Sequence, residues 1–160
     1  MAIVTLLTDF GHTDSYVGVM KGVILGLCPE AVLADLTHGL ASGDVLGGAL
    51  QLAAAVPYFP EGTIHLAVVD PGVGSRRRPL VARGNGAFFV GPDNGLLTLA
   101  LGDAPEVRLL AHPEMGLPRV SRTFHGRDIF APAAAHLARG VPLTEFGPSV
   151  TDWQRLALPN

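Results

Sequence analysis

Two aspartates each close a short apolar run: Asp9 follows AIVTLLT and Asp70 follows TIHLAVV. Carboxylates at the ends of neighbouring strands could grip sugar hydroxyls, hold a divalent cation, or act as an acid and base pair, and either alone could cap a turn. Asp70 opens the segment DPGVGSRRR, in which an arginine fork could hold the carboxylate ionised and oriented. Gly72 and Gly74 let that backbone turn sharply, but the GxxxxGK[ST] pattern of a phosphate loop is absent. His125 lies in TFHGRDIF, flanked by Phe124 and Gly126, where a close backbone approach could bring its ring to a pocket. His12, His38, His65, His112 and His136 lack such a setting and read as capping, core or surface residues. A metal would have to draw on His12, Asp14 and His38 beside Asp9 and Asp70. No HExxH-like spacing or acidic triplet fixes such a set, so no metal site is expected.

These residues need a frame that brings them to one rim. Residues 2–7 read as a buried strand, and Ser15 or Asp14 can cap a helix in which Tyr16, Val19, Met20, Val23 and Leu27 recur at helical spacing up to Pro29. Strands are expected at 32–36 and 63–69, with a helix introduced by Asp44 over 43–58 between them. Shorter strands follow at 80–82, 87–90 and 107–111. The turn GPDNG leads into an apolar segment at 96–101, and a last helix is expected over 128–139. This βαβαβ order predicts an α/β fold, a three-layer α/β/α sandwich on a largely parallel sheet, with ligands outside the carboxyl ends of the strands. Residues 1–142 form the expected catalytic domain, and 143–160, without a clear period, a linker or docking tail.

The chain has 160 residues, 48% hydrophobic and 16% charged, which suits one globular domain. Its net charge of −3 gives no electrostatic case for nucleic acid, and Arg76, Arg77 and Arg78 are too few to track a groove. The longest apolar stretch, broken by Gly47, Gly48 and Gln51, is too short for a membrane span. The start lacks the pattern of a secretory signal, so cytoplasmic residence is expected, and the single cysteine, Cys28, is read as core packing.

Five motifs in order carry a resemblance: LLTDFG, LTHGLASGDVLGGA, FPEGTIHLAVVDPGVGS, GPDNGLL and RTFHGRDIFAPAAAHLA. Together they resemble the S-adenosylmethionine (SAM) hydroxide adenosyltransferase family, relatives of the fluorinases and chlorinases. The resemblance implies that Asp9 holds the ribose hydroxyls, that Asp70, Arg77 and His125 prepare a water, and that Phe124 and Gly126 line the nucleoside site with Asp70. Halide-using relatives carry a tyrosine in place of Asp70 and a serine in place of Gly126, so the resemblance is to the hydroxide branch. It implies hydrolysis of SAM to adenosine and methionine without a cofactor, in a homotrimer. The family's smaller carboxyl-terminal β domain has no counterpart in this sequence. Two other expectations stay open: a non-catalytic nucleoside-binding or assembly domain, and a metal-dependent phosphoesterase using Asp9, Asp14, His38 and Asp70.

Overall fold

The computed structural model describes residues 2–158. Its elements run β1 (Ile3–Thr8), α1 (Tyr16–Leu27), β2 (Val32–Thr37), α2 (Val45–Ala55), β3 (Ile64–Val68), β4 (Pro79–Gly84), β5 (Ala87–Pro92), α3 (Thr98–Leu101), β6 (Glu106–Leu109) and α4 (Ala131–Ala138). The six strands form one sheet in the order β2-β1-β3-β5-β4-β6. β1 pairs in parallel with β2 and β3, and β3 with β5, while β4 runs antiparallel to both its neighbours. The fold is therefore a mixed α/β arrangement in which β4 alone reverses direction.

Both faces of the sheet are apolar, which is why its strands read as near-continuous hydrophobic runs. Val4 and Leu6 of β1 and Leu66 and Val68 of β3 join one core cluster with Met20 and Ile24 of α1 and Ala131 and Ala134 of α4. The alternate residues Leu7, Ala67 and Val69 join a second cluster with Leu52 of α2 and Ala100 and Leu101 of α3. Cys28 is buried in the first cluster.

Local sequence accounts for several boundaries. Asp44 caps α2, its carboxylate accepting from the Gly47 amide at 2.9 Å. Asn85 and Gly86, both at positive φ (49° and 74°), join β4 to β5 as a two-residue hairpin, and this Asn-Gly pair explains the reversal of β4. Two expectations need correction. Ser15 precedes α1 but makes no side-chain cap bond. The stripe that α1 buries runs through Val17, Met20 and Ile24, whereas Tyr16 and Val19 are exposed. Because α1 is apolar nearly all round, its spacing could not choose the inward face.

The last helix begins as a π-turn over Gly126–Phe130 before α4 proper. Beyond α4, Leu143, Phe146, Val150 and Trp153 are buried against the sheet. The amide of Leu109 donates to Pro148 O at 3.0 Å and that of Val150 to Val107 O at 2.8 Å, so this segment covers the outer edge of β6. Asp93 fastens it further by accepting from Arg78 and, at 2.7 Å, from the Gln154 amide. Residues 159–160 of the expected tail lie outside the described residues.

Candidate functional site

β1 lies between β2 and β3 in the sheet, so the chain leaves β1 and β3 toward opposite sides, and a crevice opens at their carboxyl ends. Thr8 pairs with Val68, which sets Asp9 and Asp70 close together at that crevice. Past Asp70 the backbone turns twice, with Val73 N donating to Asp70 O at 3.1 Å and Ser75 N to Gly72 O at 2.9 Å. Gly74, at φ 76°, passes so close to the Arg122 carbonyl that a Cβ has no room there. Its bare backbone brings the loop after β3 against the loop before α4.

That contact joins three side chains. Arg77 Nε donates to Asp70 Oδ1 at 2.9 Å and Arg77 Nη2 donates to Asp70 Oδ2 at 2.5 Å. The same Nη2 reaches His125 Nδ1 at 2.7 Å. The Arg77 and Asp70 side chains are only 8% and 4% exposed, so this is a fork-to-carboxylate pair out of water. The Arg77 guanidinium also sits 5.2 Å from the Phe130 ring centre. A guanidinium has donors only, so His125 Nδ1 accepts and the ring proton lies on Nε2. Burial, and next the positive charge of Arg77, push the His125 pKa below its ordinary value and keep the ring neutral at neutral pH. The adjacent arginines point elsewhere: Arg78 pairs with Asp93 and Asp152, and Arg76 is exposed.

A cavity of about 310 Å³ opens beside this group, with Asp9, Phe10, Tyr16, Asp70, Phe124 and His125 on its walls. Arg77 does not line it and acts through the two side chains it holds. Asp9 Oδ2 accepts from the Gly43 amide at 2.8 Å, leaving its other oxygen available to a ligand. Phe10, Tyr16 and Phe124 meet edge to face, with centroids 5.1 to 6.1 Å apart, and make a wall suited to a flat or apolar group. Gly126 also lines the cavity; a Cβ there would stand 3.2 Å from Met20 Sδ and 3.4 Å from Phe124.

Asp128 was not among the residues that the sequence singled out. It is 1% exposed and accepts from the Ser121 amide at 2.8 Å and from Arg127 Nε at 2.6 Å. Ser121 Oγ in turn accepts from the Phe124 amide at 2.9 Å, so Asp128 ties down the loop carrying Phe124 and His125. Burial raises the Asp128 pKa, but the bonds from Arg127 and Ser121 outweigh it and hold the carboxyl below the usual range. The signal available in the sequence was an Arg-Asp pair at the start of an apolar helix. Asp128→Ala should lower unfolding stability by about 2 kcal/mol, the scale of a buried carboxylate's hydrogen bonds, as read from urea unfolding at pH 7. An unchanged midpoint would show that the loop holds its place without this carboxylate.

The candidate metal donors do not converge as a set, although Asp9 and Asp70 share the cavity and the His12 and His38 rings lie 5.4 Å apart. Asp14 is exposed, Asp70 is taken up by Arg77, and both ring nitrogens of His38 are bonded to Thr8 and Asp35. Among the described residues no group of three or more His, Cys, Asp or Glu side chains is placed to hold a metal ion. His12 and His112 are exposed, and His65 is in the core. No helix among the described residues is long and apolar enough to cross a membrane.

Comparison with known proteins places this geometry in a family. The chain is 45% identical over 159 residues to an (R)-S-adenosyl-L-methionine hydrolase of Salinispora arenicola, covering 98% of this chain and 60% of the relative. It is 47% identical over 159 residues to the (R)-S-adenosyl-L-methionine hydrolase of Thermus thermophilus, covering 94% and 62%. The crystal structure of an uncharacterized conserved protein from Thermotoga maritima superposes with a TM-score of 0.94 at 40% identity, over 98% of this chain and 62% of that one. The chain thus spans about 60% of the length of the curated relatives it matches. The SAM hydroxide adenosyltransferase N-terminal domain matches residues 4–147, nearly the whole chain, and to that family this chain belongs.

Proposed function

We propose that the protein to which this domain belongs hydrolyses SAM to adenosine and methionine, by in-line attack of water on the ribose C5′. The observation that carries this reading is the bonded set of Asp70, Arg77 and His125 beside the cavity that also holds Asp9 and the aromatic wall. The water oxygen bonds to C5′ while the C5′–S bond breaks, and its electron pair returns to sulfur. Methionine departs as a neutral thioether, so the leaving group needs no acid, metal or cofactor. What remains for the protein is to place the water and accept its proton. Asp70 Oδ2 accepts from both Nε and Nη2 of Arg77, whereas Oδ1 accepts a single bond and keeps a lone pair, so Asp70 is the proton acceptor through Oδ1 and His125 Nε2–H orients the water. Asp9 accepts from the ribose hydroxyls, and Phe10, Tyr16 and Phe124 enclose the nucleoside.

The names of the hydrolase relatives support the substrate. The rest of the reading follows the family resemblance: a homotrimer, cytoplasmic, with the family's second domain completing the site. The two core clusters support a three-layer α/β/α sandwich, with α1 and α4 on one side of the sheet and α2 and α3 on the other. Hydrolysis of SAM in ¹⁸O-labelled water by the full-length protein tests the chemistry. Adenosine and methionine should form in equal amounts with the label in the adenosine 5′-hydroxyl. Methylthioadenosine alone, or unlabelled adenosine, would overturn the mechanism. Asp9→Ala should raise the adenosine dissociation constant roughly tenfold to a hundredfold, as expected when a charged acceptor of hydroxyl bonds is lost. Calorimetry reads this directly, and an unchanged constant in a folded variant removes Asp9 from the ribose site.

A further inference from the structure

The LTHGL motif at the end of β2 does not reach the cavity, yet it is bonded to the loop that does. His38 is 1% exposed and its ring is held at both nitrogens. Nδ1 lies 2.7 Å from Thr8 Oγ1, and Nε2 lies 2.7 Å from Asp35 Oδ1. Asp35 Oδ2 accepts from Lys21 Nζ at 2.8 Å. Thr8 Oγ1 also accepts from the Phe10 amide at 3.2 Å, and the His38 carbonyl accepts from the Gly11 amide at 2.8 Å. His38 therefore braces the backbone on both sides of Asp9, once through Thr8 and once through its own carbonyl.

The bonds give this chain a direction. With the ring neutral, the carboxylate of Asp35 takes its proton bond from His38 Nε2–H, so Nδ1 accepts from the Thr8 hydroxyl, which in turn accepts from the Phe10 N–H. Each bond polarises the next toward the negative end of the chain. Among the described residues Asp9 itself is fixed only by the Gly43 amide, so the direction of its other oxygen depends on where the loop backbone sits.

We infer that His38, acting through Thr8, is a positioning residue that aims Asp9 and Phe10 at the nucleoside, an inference resting on the reading of Asp9 as the ribose acceptor. The two ring nitrogens can be separated by substitution. An asparagine side chain places an acceptor near the Nδ1 position, and a glutamine places a donor near the Nε2 position. Positioning through Thr8 needs the first of these, whereas a purely structural tether to Asp35 needs the second.

The test measures adenosine affinity by calorimetry, amide hydrogen exchange at Gly11 and Gly43, and melting temperature for the 160-residue chain. His38→Gln should raise the adenosine dissociation constant about five- to tenfold, the effect of one lost hydrogen bond, and Thr8→Val, which also frees the Phe10 amide, by at least as much; both should speed exchange at Gly43 by a similar factor. His38→Asn and Thr8→Ser should stay within about twofold of the parent, because the Thr8-to-His38 bond survives in both. Thr5→Val is the control: Thr5 makes the same kind of buried bond to His65 at 2.6 Å, away from the cavity. It should lower the melting temperature and leave adenosine affinity unchanged. Unchanged affinity in His38→Gln and Thr8→Val, or an equal loss in Thr5→Val, overturns the inference. Thr8→Val is isosteric and keeps the test open if a His38 variant fails to fold. If the parent chain binds no adenosine, the ribose reading is decided instead by Asp9→Ala in the full-length protein. Exchange at Gly43 then decides on its own whether His38 places the Asp9 carboxylate, supporting the inference if faster in the variants and overturning it if unchanged.

Discussion

Asp70→Asn, Arg77→Ala and His125→Ala should each lower single-turnover hydrolysis of saturating SAM by about a hundredfold to ten-thousandfold, the range for losing a positioned proton-transfer group. Substrate affinity should change far less, because in the proposed mechanism Asp70 and His125 act on the water and Arg77 acts through them. Their effects should not add. Arg77 holds Asp70 through both carboxylate oxygens and His125 through Nδ1, so removing it frees both of its partners at once. An Asp70→Asn, His125→Ala double variant should therefore be little slower than the worse single. Arg77→Lys should rescue poorly, since an ammonium cannot span both oxygens and the imidazole in one plane. Arg76→Ala should keep full activity, because that side chain is exposed while Arg77 is turned inward. Near-parent rates for all three triad variants in the full-length protein would reduce the group to a structural bridge between two loops.

The frame of this site was readable because the chain alternates apolar runs with helical spacing, and because Asp9 and Asp70 mark two strand ends directly. The seven-residue step from Asp70 to Arg77 resolved into a geometric contact only through the tight turn at Gly72 and Gly74. Other features depend on interactions between distant segments. The reversal of β4 was signalled by Asn85-Gly86, yet the reading of βαβ units passed over it. The inward face of α1 was hidden because that helix is apolar nearly all round. His38, Asp35 and Lys21 form a linked group only when β2 lies beside β1 and under α1, and each alone looks like an ordinary polar residue. Asp93 and Asp128 read as turn and helix-start residues. Their burial and their bonds across 61 and 7 residues of chain appear only in three dimensions.

Acid should destabilise this domain through His65 more than through any surface group. His65 is fully buried in β3, bonded to Thr5 through Nδ1 and stacked on Phe89 with centroids 5.3 Å apart. Among the described residues its Nε2 is buried without a partner, so a second proton would enter an apolar setting with nothing to receive it. Burial accordingly pushes the pKa down from 6.5 to about 4. Below about pH 6.5 the unfolded chain takes up this proton and the folded chain does not, so stability is full above that pH and falls as pH drops toward 4. At about 1.4 kcal/mol for each pH unit the loss approaches ~3 kcal/mol, and His125 and His136, also shifted downward by burial, act in the same direction. Urea unfolding midpoints from pH 7.5 to 4.5 measure it. His65→Leu alone should cost stability at pH 7.5, because it leaves the Thr5 hydroxyl buried without its partner. Combined with Thr5→Val, it removes both polar partners, so the double variant should be near parent stability at pH 7.5 and much flatter toward acid. An equally steep decline in that double variant would place the acid sensitivity elsewhere in the fold.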